Sequence, residues 1–115
     1  MPIRRGDLFW VDLNPTQGAE QAGRRPVLVI QNDVGNEFAP TTIIAPLTTT
    51  SFTKEYPINV DIPRGVAGLA RESTILLSQI RTIDKSRLGR KIGRLPSSYL
   101  QRVNHAIGIS LGLTR

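Results

Sequence analysis

The chain contains no cysteine and a single histidine, His105. Disulfides, thiolate metal sites and cysteine nucleophiles are therefore excluded, and a structural zinc site is left without a ligand set. Long apolar runs are missing too. FWV, VLVI, TIIA and TILL are all far shorter than the roughly 20 residues a membrane-spanning helix needs. The opening MPIRRGD lacks the apolar core of a signal peptide, so a cytoplasmic protein with no membrane partner is expected. Negative charge is scarce in the second half. Residues 1–60 carry five Lys/Arg and six Asp/Glu; residues 61–115 carry ten and three, and the net charge is +6. Between Arg81 and Arg94 only Asp84 opposes six cationic side chains. Such a bias suits a polyanionic partner, either nucleic acid or an acidic protein tail, although solvated lysines and arginines are also what any surface carries.

What remains is a 115-residue chain with 39% hydrophobic residues, enough for one domain spanning 1–115 with a modest core. Short strands separated by turns are predicted over the first two thirds. Asp7–Leu13 ends at Asn14-Pro15, and a polar loop runs from Thr16 to Gly23. Arg25–Gln31 reads RPVLVIQ, a continuous β-branched and Leu run of the kind buried on both faces. A turn-rich connection, Asn32–Pro40, leads to a strand at Thr41–Leu47 and a polar loop at Thr48–Lys54. Tyr56–Ile62 alternates, and Ser73–Ile80 reads as a third continuous apolar strand. This pattern predicts a small barrel or sandwich. The tail changes period: Leu100, Val103, Ile107 and Leu111 share one helical stripe, with Ser98 and Gln101 spaced as a capping box and Gly112 placed to end the helix.

Few residues offer proton-transfer chemistry. His105 falls about 140° round the helix from Leu100, on the solvent side, and has no acidic neighbour in sequence. The carboxylates are scattered, with no pairing that suggests a metal site or a glycosidase, and no Gly-rich phosphate loop follows a strand. Two segments stand out: GAEQAGRRP and APLTTTS. Pro26 holds Arg25 extended, and a guanidinium is a planar, permanently charged fork matched to phosphate oxygens. The hydroxyls of Thr48, Thr49, Thr50 and Ser51 would add hydrogen bonds if the fold brings the segments together, and Glu20 is the one carboxylate nearby. By residue type alone, solvated arginines flanking a strand are the simpler account.

The run RRGDLFWVDLNPTQGAEQAGRRPVLVIQND resembles the opening of the MazF/PemK/Kid family of toxin endoribonucleases, and APLTTT and LLSQIRTIDKSRL resemble its second and third motifs. The resemblance runs in order from Arg4 to the terminal helix. It implies a mainly β fold with a C-terminal helix, a small, strongly curved β-barrel shared with the gyrase poison CcdB. By position it places the family's catalytic arginine on Arg25, its catalytic threonine on Thr48 and the glutamate of its GxEQ loop, a possible base, on Glu20. Gln79 matches a residue that helps hold RNA bases, and Gln21, Arg24, Thr49 and Arg81 complete the candidate RNA-binding set. Ala19 departs from the serine of many members, and Arg24 occupies a variable position. The resemblance further implies a homodimer, a cognate acidic antitoxin, and cleavage of single-stranded RNA without metal or cofactor. A gyrase poison of the same fold and a non-catalytic nucleic-acid-binding barrel stay open beside it.

Overall fold

The computed structural model describes residues 2–50 and 57–114. Seven strands and two helices follow in the order β1 (Asp7–Asp12), β2 (Arg24–Val29), α1 (Asp33–Phe38), β3 (Thr41–Thr48), β4 (Asn59–Ile62), β5 (Ser73–Leu76), β6 (Arg81–Asp84), β7 (Lys91–Arg94) and α2 (Ser97–Ser110). The sheet runs β4-β5-β3-β2-β1-β7, with β6 paired to β3 off this path. Every pairing is antiparallel.

The sheet separates two cores, which explains the unbroken apolar run of β2. Strand side chains alternate between faces. Leu8, Leu28, Ile30, Ala45 and Leu47 therefore join one cluster, and Phe9, Val11, Val27, Val29 and Ile44 join the other. The first core is closed by α2 through Val103 and Ala106; the second receives Ile83 from β6. The expected burial of β2 on both faces is met.

The sheet also curls until its ends meet. The turn Val66–Gly68 after β4 packs on β7 so closely that a Cβ on Gly93 would lie 2.1 Å from the Ala67 carbonyl oxygen. Ala67 itself sits at φ 56, a left-handed conformation that costs a non-glycine residue roughly 1–2 kcal/mol and must be imposed by this contact. On the other side, Asp7 is 1% exposed. Its carboxylate accepts from the Arg4 amide at 3.0 Å and pairs with Arg94 at 3.1 Å and Lys91 at 3.4 Å, fastening β1 to β7.

Several sequence expectations are corrected. The apolar run Ser73–Ile80 is not one strand: the chain turns at Leu77–Gln79, the Gln79 amide bonding to the Leu76 carbonyl at 3.1 Å, and restarts as β6. Leu77 is buried within the turn, so hydrophobicity alone gave no sign of the break. The basic run Arg81–Arg94, for which no strand was predicted, supplies β6 and β7 while none of its six cationic side chains is buried. Asn32–Pro40 contains α1, capped by the Asn32 side chain accepting from the Gly35 amide at 2.8 Å. In α2 the first helical residue is Ser97, and Pro96 caps it with its carbonyl alone; Ser98 lies inside the first turn, so no capping box forms. Leu111 is exposed, and Ala106 takes the core position instead. His105 is exposed and Gly112, at φ 75, ends the helix, both as expected. Of the strand predicted at Tyr56–Ile62, Tyr56 lies outside the described residues, as do Ser51–Lys54 of the polar loop.

The closure at Gly93 yields a stability prediction. Gly93→Ala forces backbone apart at Ala67, and overpacking of this kind costs about 1–3 kcal/mol. At roughly 4–8 °C per kcal/mol for a small domain, thermal denaturation should show a clear fall in Tm. An unchanged Tm would mean that the β4 and β7 ends are not locked together as described.

Candidate functional site

Register brings the two sequence-selected segments together. Strand β2 pairs with β3 at Val27↔Pro46, Leu28↔Ala45 and Val29↔Ile44; continued by two residues, the same register sets Arg25 opposite Thr48. Alternation puts both side chains on the face of the Phe9–Val27–Ile44 core, beyond its edge. Arg81 reaches the same face from the other side of β3, because it pairs with Ile44. Three residues distant in sequence thus gather at one lip of the sheet, over which the Asn14–Gly23 loop passes.

The donors at this lip are held by backbone carbonyls. Arg25 donates from Nε to the Ala22 oxygen at 2.9 Å and from Nη1 to the Leu47 oxygen at 3.1 Å, and among the described residues its Nη2 has no protein partner. Arg81 Nη1 donates to the Leu13 oxygen at 3.2 Å. Thr48 is nearly buried; its hydroxyl accepts from the Thr50 amide at 3.2 Å and donates to the Thr50 hydroxyl at 3.2 Å. Thr49 is exposed beside it. Two guanidinium groups and a hydroxyl on one face are the donor types that make charge-assisted bonds to phosphate or carboxylate.

The loop has its own supports. Gln79 spans it: Oε1 accepts from the Gln21 amide at 3.3 Å, and Nε2 donates to the Ala19 oxygen at 3.4 Å. Glu20 is exposed, and its carboxylate accepts from the Gln17 amide of its own turn. The ion pairs among the described residues both belong to Asp7, so Glu20 does not neutralise Arg25 or Arg81.

Arg24 is not part of this gathering. Being next to Arg25 on a strand, it projects from the opposite face, where its guanidinium lies 5.3 Å from the centroid of the Trp10 ring. His105, exposed on the helix that covers the opposite core, is also apart from Arg25 and Thr48. Among the described residues no three His, Cys, Asp or Glu side chains converge as a metal-binding group, and no helix is long and apolar enough to cross a membrane. Sequence reasoning missed Arg87, whose Nη2 donates to the Asp12 oxygen and, at 3.2 Å, to the Asn14 oxygen, fixing the start of the loop. Its only signal was membership of the basic run.

Comparison with known proteins identifies relatives of the chain. The chain is 49% identical over 113 residues to the Endoribonuclease EndoA of Bacillus subtilis, covering 98% of this chain and 97% of that relative. Its fold is similar to a crystal structure of MazF from Deinococcus radiodurans, with a TM-score of 0.83 and 28% identity over 97% of this chain and 98% of that one. A MazE–MazF complex from the same organism superposes with a TM-score of 0.76 at 28% identity, covering 99% of both chains. A family model described as a PemK-like, MazF-like toxin of type II toxin-antitoxin systems matches residues 4–111, and the chain belongs to that family.

Proposed function

We propose that this protein, a single domain of residues 1–115, is the toxin of a type II toxin-antitoxin system. It acts as a sequence-specific, ribosome-independent endoribonuclease on single-stranded messenger RNA in the cytoplasm, and so inhibits translation and growth. The observation that carries this reading is that the Arg25 guanidinium reaches the Leu47 carbonyl next to Thr48, with Arg81 brought to the same side of β3 by its pairing with Ile44, in a chain of this family.

The proposed reaction is attack by a ribose 2′-hydroxyl on the adjacent phosphate, leaving a 2′,3′-cyclic phosphate and a 5′-hydroxyl. Negative charge grows on the non-bridging oxygens as the phosphorane forms, and preorganised donors lower that barrier. Arg25 offers Nη2 while its Nε and Nη1 stay anchored, and the Thr48 hydroxyl supplies a neutral donor once its proton turns from the Thr50 hydroxyl. A guanidinium is permanently charged in proteins and a poor proton donor, so Arg25 is assigned an electrostatic role. Glu20 is assigned as the base, which requires its carboxylate to leave the Gln17 amide. Gln21, Thr49, Gln79 and Arg81 are assigned to RNA contacts, and the reaction needs neither metal nor cofactor.

The active form is proposed to be a homodimer, as the family resemblance implies. A cognate acidic antitoxin is proposed to compete with RNA for the same arginines, because carboxylate and phosphate bind guanidinium alike. The MazE–MazF complex of Deinococcus radiodurans supports the existence of such a partner.

Arg25→Ala and Thr48→Ala are each expected to slow RNA cleavage by about 10²-fold or more in folded protein, the usual loss for a transition-state donor. Wild-type rates in both variants would overturn the assignment, and linearisation of supercoiled DNA in the presence of gyrase is the control for a gyrase poison. Cleavage should persist in EDTA, and His105→Ala should leave both rate and pH profile unchanged. A profile altered by that substitution would mean that a base has been missed, whereas loss of the acid limb in Glu20→Gln would identify Glu20 as the base. RNA affinity should fall with salt at a log–log slope of about −0.7 per phosphate neutralised, and a flat titration would remove the electrostatic account. The purified acidic partner should abolish cleavage; binding without inhibition would place its tail away from Arg25.

A further inference from the structure

The other face of the same hairpin carries a second cationic feature that the cleavage site does not use. Trp10, Arg24 and Arg90 line an open cleft of about 280 Å³. Its floor is rigid. The Trp10 amide donates to the Arg90 carbonyl at 2.9 Å, and the Gly89 amide donates to the Trp10 carbonyl at 2.7 Å. A Cβ on Gly89 would lie 2.7 Å from that same oxygen, so glycine is what lets the Arg90 segment approach the tryptophan. Trp10 stands across from Pro26, and Arg24 is placed over its ring at 5.3 Å. Asp12, paired with Arg24 in register, turns its carboxylate to the Asn14 amide at 3.0 Å. Neither Arg24 nor Arg90 enters an ion pair among the described residues.

We infer that this cleft binds one nucleotide of single-stranded RNA outside the cleaved step. Two unpaired guanidinium groups beside an indole face match the two parts of a nucleotide. The base takes the place of the Arg24 guanidinium over the Trp10 ring, and the phosphate takes charge-assisted bonds from the displaced Arg24 and from Arg90. An acidic peptide would use the cations and leave the ring without a role. The volume lies near the low end of small-ligand clefts, suited to one base. Arg24 and Arg25 are consecutive on β2 and face opposite ways. A strand bound at Arg25 therefore reaches the cleft by passing round the Asn14–Gly23 end of the hairpin, and residues 24 and 25 become the two sides of one RNA path.

The choice of RNA as the occupant rests on the proposed ribonuclease activity, and the experiment separates the two. Trp10 is the sole tryptophan, so intrinsic emission reports on this cleft. The wild-type protein is titrated with a short single-stranded deoxyoligonucleotide, which lacks the attacking hydroxyl, and separately with polyglutamate. Saturable quenching by the oligonucleotide is expected. Arg90→Ala should raise KM for RNA about tenfold, the loss of one charge-assisted contact, with kcat held within about twofold. Unchanged emission at concentrations where RNA is cut, or an unchanged KM in Arg90→Ala, overturns the proposal. Quenching by polyglutamate alone also overturns it and assigns the cleft to an acidic protein. If the oligonucleotide quenches but wild-type protein cuts no RNA, the cleft assignment stands and the ribonuclease reading falls.

Discussion

The arrangement depends on β3, which hydrogen-bonds to three strands at once. Its first half pairs with β6, its last residues with β5, and its other edge with β2. Antiparallel register couples these pairings: once Val27 faces Pro46 and Ile44 faces Arg81, the side chains of Arg25, Thr48 and Arg81 must emerge on one face. The functional lip is thus a by-product of packing. The buried partners Val27, Val29, Ile44 and Ile83 hold the register, because a one-residue slip would turn each of them out of its core.

The lip is held by charge as much as by the ladder. The segment from Leu13 to Gly23 belongs to no strand, and its carbonyls need donors from elsewhere. Arg25, Arg81, Arg87 and Gln79 supply them at Ala22, Leu13, Asn14 and Ala19. A guanidinium has five N–H donors in a fixed plane, so it can cap a carbonyl and still present an edge to an anion. Arginine can therefore fix the loop and meet a phosphate at once; lysine, with a single mobile ammonium, could not.

Legibility in the sequence followed how much each element depended on its neighbours. Strand β2 was plain, since a sheet buried on both faces leaves an unbroken apolar run, and α2 was plain from the spacing of Leu100, Val103 and Ile107. Strands β6 and β7 were hidden because their exposed edges are basic and their pairing partners lie far away in sequence, Thr41–Ile44 and Asp7–Phe9. The turn at Leu77 was hidden because a buried turn and a buried strand share a composition. At the site, Arg25 and Thr48 were legible only through family motifs. Residue types singled out both segments but favoured solvated arginines, and the Trp10–Arg24–Arg90 cleft, which needs β1, β2 and the residue before β7 brought together, showed in the sequence only as two separate basic positions.

The pleat of β2 works as a reading frame for charge. Arg24 and Arg25 are chemically identical neighbours, and one peptide unit decides which stacks over Trp10 and which aims at the Leu47 carbonyl. An insertion in the exposed Asn14–Gly23 loop leaves that frame intact, whereas one between Pro26 and Val29 inverts it and exchanges the faces of every residue upstream. Length variation before Arg24 therefore tests the loop's own supports, whereas within β2 it tests the register itself.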